Sequence, residues 1–299
     1  MHKGIVTAAV LALAAPAAQA EGLDYIGHGR IMNNDVFYGG LDRWQTGSIA
    51  SSHVWAEGWD GTLPTRFGSL IELRIEGRII APDTLSYVVP GDRPYANALS
   101  FGLHSHVLWR GVEVTGGADL VVTGDQTQLY RIQQAIHDII DVPGPSDAVR
   151  AAGIGNGLHP TLSGEAGREV AAGPLRLRPF VEARWGIETY ARAGFDLTLG
   201  PVGRGGLMVR DPVTGQRYRA VPAPALGYTL VLGADHAWVH DSTYLPAPHE
   251  ALDRTRLRAG LHWEGRSFRG FYGLTWLSEE FAGQPEGQVI GSVRFDITF

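Results

Sequence analysis

Strict alternation of apolar and polar residues, sustained over long stretches, is what most limits how this chain can fold. Over 70–80, Ile71, Leu73, Ile75 and Ile79 alternate with Glu72, Arg74, Glu76 and Arg78. Over 174–186, Leu175, Leu177, Val181, Ala183 and Trp185 oppose Arg176, Arg178, Glu182 and Arg184. Leu257, Ala259, Leu261 and Trp263 oppose Arg256, Arg258, His262 and Glu264, and the last residues set Val289, Val293, Phe295, Ile297 and Phe299 against Ser292, Arg294, Asp296 and Thr298. Side chains alternate faces along a strand, so each stretch predicts a strand with one greasy and one charged face. Twelve such segments are expected, at 23–33, 44–57, 68–80, 94–108, 111–123, 161–172, 174–186, 189–200, 224–239, 252–264, 266–278 and 287–299. They exceed the roughly five or six residues usual in soluble sheets and suit tilted membrane strands, which need about 9–11 residues in hydrocarbon.

Alternation alone does not say which face is wet. A soluble sandwich turns the apolar face inward, whereas a membrane barrel turns it to lipid. The even strand number favours lipid. So do aromatics near strand ends (Trp44, Trp55, Trp59, Trp109, Trp185, Tyr190, Trp238, Trp263) and a chain that closes on a strand ending in Phe299. The expected fold is all-β: a twelve-stranded antiparallel transmembrane β-barrel of outer-membrane type. Arg and Glu facing a lumen of that width would fill it with paired side chains, which argues against a pore.

The first twenty residues stand apart. Lys3, the apolar run Ile5 to Ala15 and Ala18-Gln-Ala20 read as a secretory signal peptide, leaving 21–299 as a single barrel domain. Lys3 is the only lysine, so beyond it 24 arginines face 31 acidic residues, a net charge near −7, which excludes the basic face nucleic acid requires. No cysteine is present, so neither disulfides nor thiolate metal sites enter.

One stretch breaks the strand pattern. Over 125–141, Leu129, Ile132, Ile136, Ile139 and Ile140 recur at helical spacing, with Asp125 as expected N-cap and Pro143 as stop. Tyr130, Gln133, His137 and Asp141 form a polar stripe three or four residues apart on another face. Tight turns at Trp109-Arg-Gly111, Ala172-Gly-Pro174 and Gly265 follow even-numbered strands. With the N-terminus inside, the helix therefore falls in an extracellular loop between the fifth and sixth strands. Segment 34–46 reaches the same mouth. It carries Asn34, Asp35 and Thr46, oxygen donors of the kind Ca²⁺ prefers, although Asn-Asn-Asp at a strand end, read alone, points to turn chemistry before a metal site. Asp42-Arg43 reads as an ion pair holding that loop. The 201–223 connection, with Arg210-Asp-Pro-Val-Thr-Gly215, is long for the inner side and suggests no function.

Taken in order, these segments resemble a known family. Asn34-Asp35 with an aromatic shortly after, Asp42-Arg43-x-x-Thr46-Gly47, Gly91-Asp-Arg-Pro-Tyr-Ala96, the run Val121 to Ile140, Pro179-Phe-Val-Glu182 onward to Gly200 and the closing strand are similar to the outer-membrane lipid A 3′-O-deacylases. The resemblance implies a Ca²⁺-dependent esterase that removes the 3′-linked acyloxyacyl group of lipid A, the membrane part of lipopolysaccharide. It implies a site of Asn34, Asp35, Thr46, Gln133 and His137, with His137 as general base and the metal near Asn34 and Asp35. The expected setting is the bacterial outer membrane, with the site facing the extracellular side, outer-membrane lipid around it and a single copy of the chain.

Two departures stand out. The family lysine between the third and fourth strands has no counterpart in 81–91, and the family glutamate after the histidine is absent, Asp141 being the nearest substitute to orient His137. A catalytically inactive binding or structural barrel, and a calcium-dependent outer-membrane phospholipase, are the other readings. The second would favour a Ser–His pair, which the sequence does not display.

Overall fold

The computed structural model describes residues 22–40, 42–141, 143–245, 251–266 and 268–297. The expected signal peptide and Phe299 lie outside the described residues. Fifteen strands form: β1 (Asp24–Asn34), β2 (Trp44–Ala56), β3 (Leu70–Ala81), β4 (Ala96–Trp109), β5 (Val112–Thr123), β6 (Gly157–Gly167), β7 (Val170–Ala172), β8 (Leu175–Trp185), β9 (Glu188–Leu199), β10 (Leu207–Arg210), β11 (Arg217–Val221), β12 (Gly227–Ser242), β13 (Arg254–Glu264), β14 (Phe268–Leu277) and β15 (Gln288–Ile297). All but β10 and β11 make one antiparallel sheet of sequential neighbours. β1 pairs with β15 through Met32 and Val293, and β6 pairs with β8 through Leu162 and Trp185, so the sheet closes on itself. β6 and the short β7 both pair with β8 and act as one wall strand, which gives the twelve expected crossings.

The barrel is inside-out relative to a soluble protein. On β8, Leu177 is 43% exposed on the outer face while its neighbour Arg178 is 4% exposed toward the lumen. Trp109, Trp185 and Trp238 lie exposed near strand ends, as a girdle requires. Three of the expected girdle aromatics instead point inward. Trp44 is buried with Leu245 and Phe281, Trp59 packs on the luminal core, and buried Tyr190 donates to Glu182 Oε1 at 2.7 Å.

The lumen is filled by charge pairing. Arg210 bridges Glu165 (2.6 Å) and Asp196 (2.8 Å), and Arg258 bridges Asp196 (2.7 Å) and Asp235. Asp235 also receives Arg192 (3.1 Å) and Arg256 (2.9 Å). Nearer the helix-bearing mouth, Glu188 pairs with Arg254 (2.7 Å) and Arg78 (3.4 Å), and Glu280 with Arg93.

The unassigned 201–223 connection is part of this filling. β10 and β11 form a hairpin inside the barrel that supplies Arg210 to the charge lattice. Leu207, Val209, Tyr218, Ala220 and Val221 pack against an apolar sector of the wall made by Ile31, Ala50, Val54, Leu70 and Phe271. The Tyr218 hydroxyl and Ser52 Oγ are hydrogen bonded at 2.7 Å. Gly29 on β1 permits this docking, because a Cβ there would fall 1.9 Å from the Arg219 carbonyl oxygen. The 57–69 connection, also long at the turn end, adds Trp59 and Leu63 to the same core. The lumen keeps an open cavity of about 160 Å³ lined by groups such as Arg74, Glu76 and Arg184.

Removing one partner of a buried pair strands the other charge. Arg210→Ala is expected to destabilise the barrel by about 3 kcal/mol, read as a lower urea midpoint in lipid. Arg66→Ala, which breaks an exposed pair with Glu57, is expected to change it little.

Candidate active site

Two segments build the site, both at the mouth opposite the short turns. The first follows β1. Asn34 is extended and its Oδ1 accepts the Val36 N–H at 2.8 Å, capping the 3₁₀ turn Asp35–Phe37. The Asp35 carbonyl then receives the N–H groups of Tyr38, Gly39 and Gly40, folding the loop back on itself. The buried Asp35 carboxylate accepts the Arg43 N–H at 3.2 Å.

Arg43 does not pair with Asp42. Its guanidinium lies 4.1 Å over the Trp44 ring and pairs with Asp83 (2.8 Å) and Glu286. Asp42 and Trp44 both take left-handed backbone, with φ of 48° and 54°, a costly conformation for such residues. Held in this way, Asp42 Oδ1 accepts the Thr46 hydroxyl at 2.6 Å, while Oδ2 lies 3.1 Å from His137 Nε2. That second contact is a short approach without hydrogen-bond geometry, and Oδ2 has no hydrogen-bond partner.

The second segment is the helix. Asp125 does not cap it: Asp125–Thr127 form a 3₁₀ turn, Gln128 takes left-handed backbone, and α1 runs Leu129–Ile140 without a side-chain N-cap. A further short helix, α2 (Asp147–Ala151), was not expected; Ser146 caps it, and its Val149 packs beside Ala81 and Tyr95. α1 lies on the outside of the wall, where Leu129 occupies the space above Gly77, 3.6 Å from where a Cβ would stand. Gly77 is paired with Ile49 and shares its outer face.

Gln133 and His137 face the wall and are 4% and 5% exposed. Buried Tyr95, at the end of the Gly91–Ala96 segment, donates its hydroxyl to Gln133 Oε1 at 2.6 Å, which leaves Gln133 Nε2 a buried donor with no partner. His137 Nδ1 lies 3.1 Å from the Pro143 carbonyl oxygen. A carbonyl can only accept, so Nδ1 carries the proton, which leaves Nε2, beside Asp42 Oδ2, as the ring nitrogen for base chemistry. Asp141, expected to orient the ring, instead closes the helix in left-handed backbone with its side chain exposed. Pro143 and Asp42 hold the imidazole. Thus the structure brings His137, Thr46 and the loop after β1 together through Asp42, and it joins Gln133 to Tyr95. Sequence reasoning missed both connecting residues, although each lies in a motif it had singled out.

Electrostatics at the loop fit a cation. The Asp35 carboxyl is pushed up to about 6, chiefly by burial, with Asp42 adding repulsion against the lowering effect of the Arg43 N–H. Among the described residues no three acidic or histidine side chains gather as a ready metal cluster. The anionic oxygens on offer are those of Asp35 and Asp42, with Asn34 and Thr46 as neutral donors. A hard cation there would relieve both the burial and the mutual repulsion of the two carboxylates.

The barrel and the comparisons define an outer-membrane β-barrel protein. A family model described as LpxR, outer membrane protein LpxR, matches residues 5–299. Among solved structures, LpxR from Salmonella typhimurium superposes with a TM-score of 0.68 at 16% identity, covering 91% of this chain and 100% of that one, which shows the shared fold. The KdgM porin (TM-score 0.41, 6% identity, 91% and 99% coverage) and the COG4313 outer membrane channel from Pseudomonas putida F1 (0.43, 10%, 92% and 96%) match more weakly. No curated protein sequence matches the chain. The chain belongs to the LpxR family of outer-membrane lipid A 3′-O-deacylases, which are ester hydrolases.

A carboxyl raised on folding binds its proton more tightly in the folded than in the unfolded chain, so its stability contribution is present at low pH and lost as pH rises through the folded value. The calcium-free chain is therefore expected to lose thermal stability as pH rises through about 6. Asp35→Asn should flatten that slope, and a bound cation should restore stability on the alkaline side.

Proposed function

We propose that this chain hydrolyses the 3′-position acyl ester of lipid A in the outer leaflet, using water activated by His137. The observation that carries the reading is where the site lies. His137, Gln133, Tyr95, Asp42 and Thr46 gather at the outer face of the wall beneath α1. A lipid could reach that position laterally without entering the filled lumen.

His137 Nε2 takes a proton from water as the water oxygen adds to the acyl carbon. The imidazolium so formed lies beside the Asp42 carboxylate, whose charge stabilises it, while Pro143 keeps the ring in register. Collapse breaks the bond between the acyl carbon and the sugar oxygen, and His137 returns its proton to that oxygen, giving a fatty acid and a free hydroxyl. Gln133 Nε2, unpartnered and steadied by Tyr95, is a donor for the developing oxyanion. Asn34, Asp35, Asp42 and Thr46 would hold Ca²⁺, which when bound supplies positive charge for the ester carbonyl. The hydrogen-bond partners of His137 among the described residues include no serine, so an activated water suits the site better than a serine nucleophile. The extracellular orientation of this mouth and the monomeric state are part of the same proposal.

The test is to express the chain in a bacterium with fully acylated lipid A and weigh that lipid. Loss of one acyloxyacyl group is expected, abolished by chelating calcium. His137→Ala should lower turnover about a thousandfold, and Asp42→Asn about a hundredfold. No mass loss with calcium present would defeat the proposal, and fatty acid released from phospholipid instead would favour a phospholipase.

A further inference from the structure

We propose that α1 is seated in the hydrocarbon of the outer leaflet, with Ile132, Ile136 and Ile139 among the lipid acyl chains, so that a membrane-embedded helix roofs the site. This deepens the reading above and rests on it for the meaning of the site, but its geometry is independent.

α1 divides into three faces. Gln133 and His137 are buried against the wall; Arg131, Gln134 and Asp138 are exposed and polar. Ile132, Ile136 and Ile139 follow one another at the four- and three-residue spacing of a single helical face, and they are 49%, 53% and 83% exposed. A helix that buries its glutamine and histidine while exposing three isoleucines is inverted for water. It is ordinary for a helix lying in a membrane interface, where one face meets acyl chains and another meets water.

The occupant follows from continuity with the lipid-facing wall. Leu129 at the head of α1 and the Ile49 side chain both border the space above Gly77. Gly77 pairs with Ile49 and Ile49 pairs with Met32, so the three stand side by side on the outer face. Ile49 and Met32 are themselves exposed and belong to the apolar belt. The isoleucine face is thus an extension of that belt, displaced outward by one helix.

The chain contains no cysteine, so Ile136→Cys, Ile139→Cys and Asp138→Cys each create a unique labelling position. With an environment-sensitive fluorophore in phosphatidylcholine vesicles, the labels at 136 and 139 should be quenched several-fold more by lipid-borne nitroxide than by aqueous iodide. The label at 138 should show the reverse. Equal iodide quenching at all three positions would overturn the proposal. Shielding of 136 and 139 from both quenchers would also overturn it, since a second copy or another protein would then cover the face. The vesicles contain no lipid A, so a catalytically dead chain with an embedded helix leaves this inference standing, and an active chain with a wet helix defeats it alone.

Discussion

Pairing of arginine with carboxylate inside the barrel is the interaction on which the rest depends. An all-outward apolar surface is stable only if the polar faces of the same strands are satisfied in the lumen, where unpaired charges are costly. Asp235 accepts Arg192, Arg256 and Arg258, and Asp196 accepts Arg210 and Arg258, so the pairs are shared links rather than isolated bridges. The planar guanidinium suits this work because one side chain can span two carboxylates in a fixed plane. Beyond Lys3 this chain uses arginine for every basic side chain other than histidine. The β10–β11 hairpin completes the lattice with Arg210 and seals the apolar sector with Tyr218.

Much of this was legible in the sequence, because alternation along a strand reports both faces at once. The sixth strand was read four residues short, starting at 161 rather than at Gly157. Pro160 looks like a break, but β6 pairs with β8 only from Leu162 onward, so Pro160 sits where one edge is free and a missing N–H costs nothing. The hairpin was invisible for a different reason. Its residues satisfy the lumen, and nothing local in 201–223 says what lies around it.

The site was legible in part, and the misses share a cause. That Gln133 and His137 share one buried face of the helix could be read from spacing alone. Asp42 could not, because its freedom depends on Arg43 pairing with Asp83 and Glu286, 40 and 243 residues away, and on left-handed backbone at non-glycine positions. Asp141 was chosen for its place one turn past the histidine, but the helix ends there and the chain turns away. The amphipathic pattern of α1 likewise gave two faces without saying which was wet, the same ambiguity that the strands posed.

Because the candidate site lies on the outer side of the wall, the barrel stands to it as a post rather than as a pipe. The lumen is largely occupied by the hairpin and its arginines, around a cavity of about 160 Å³. A barrel built in this way spends its interior on holding its own wall together, and leaves its outer face to meet the lipid.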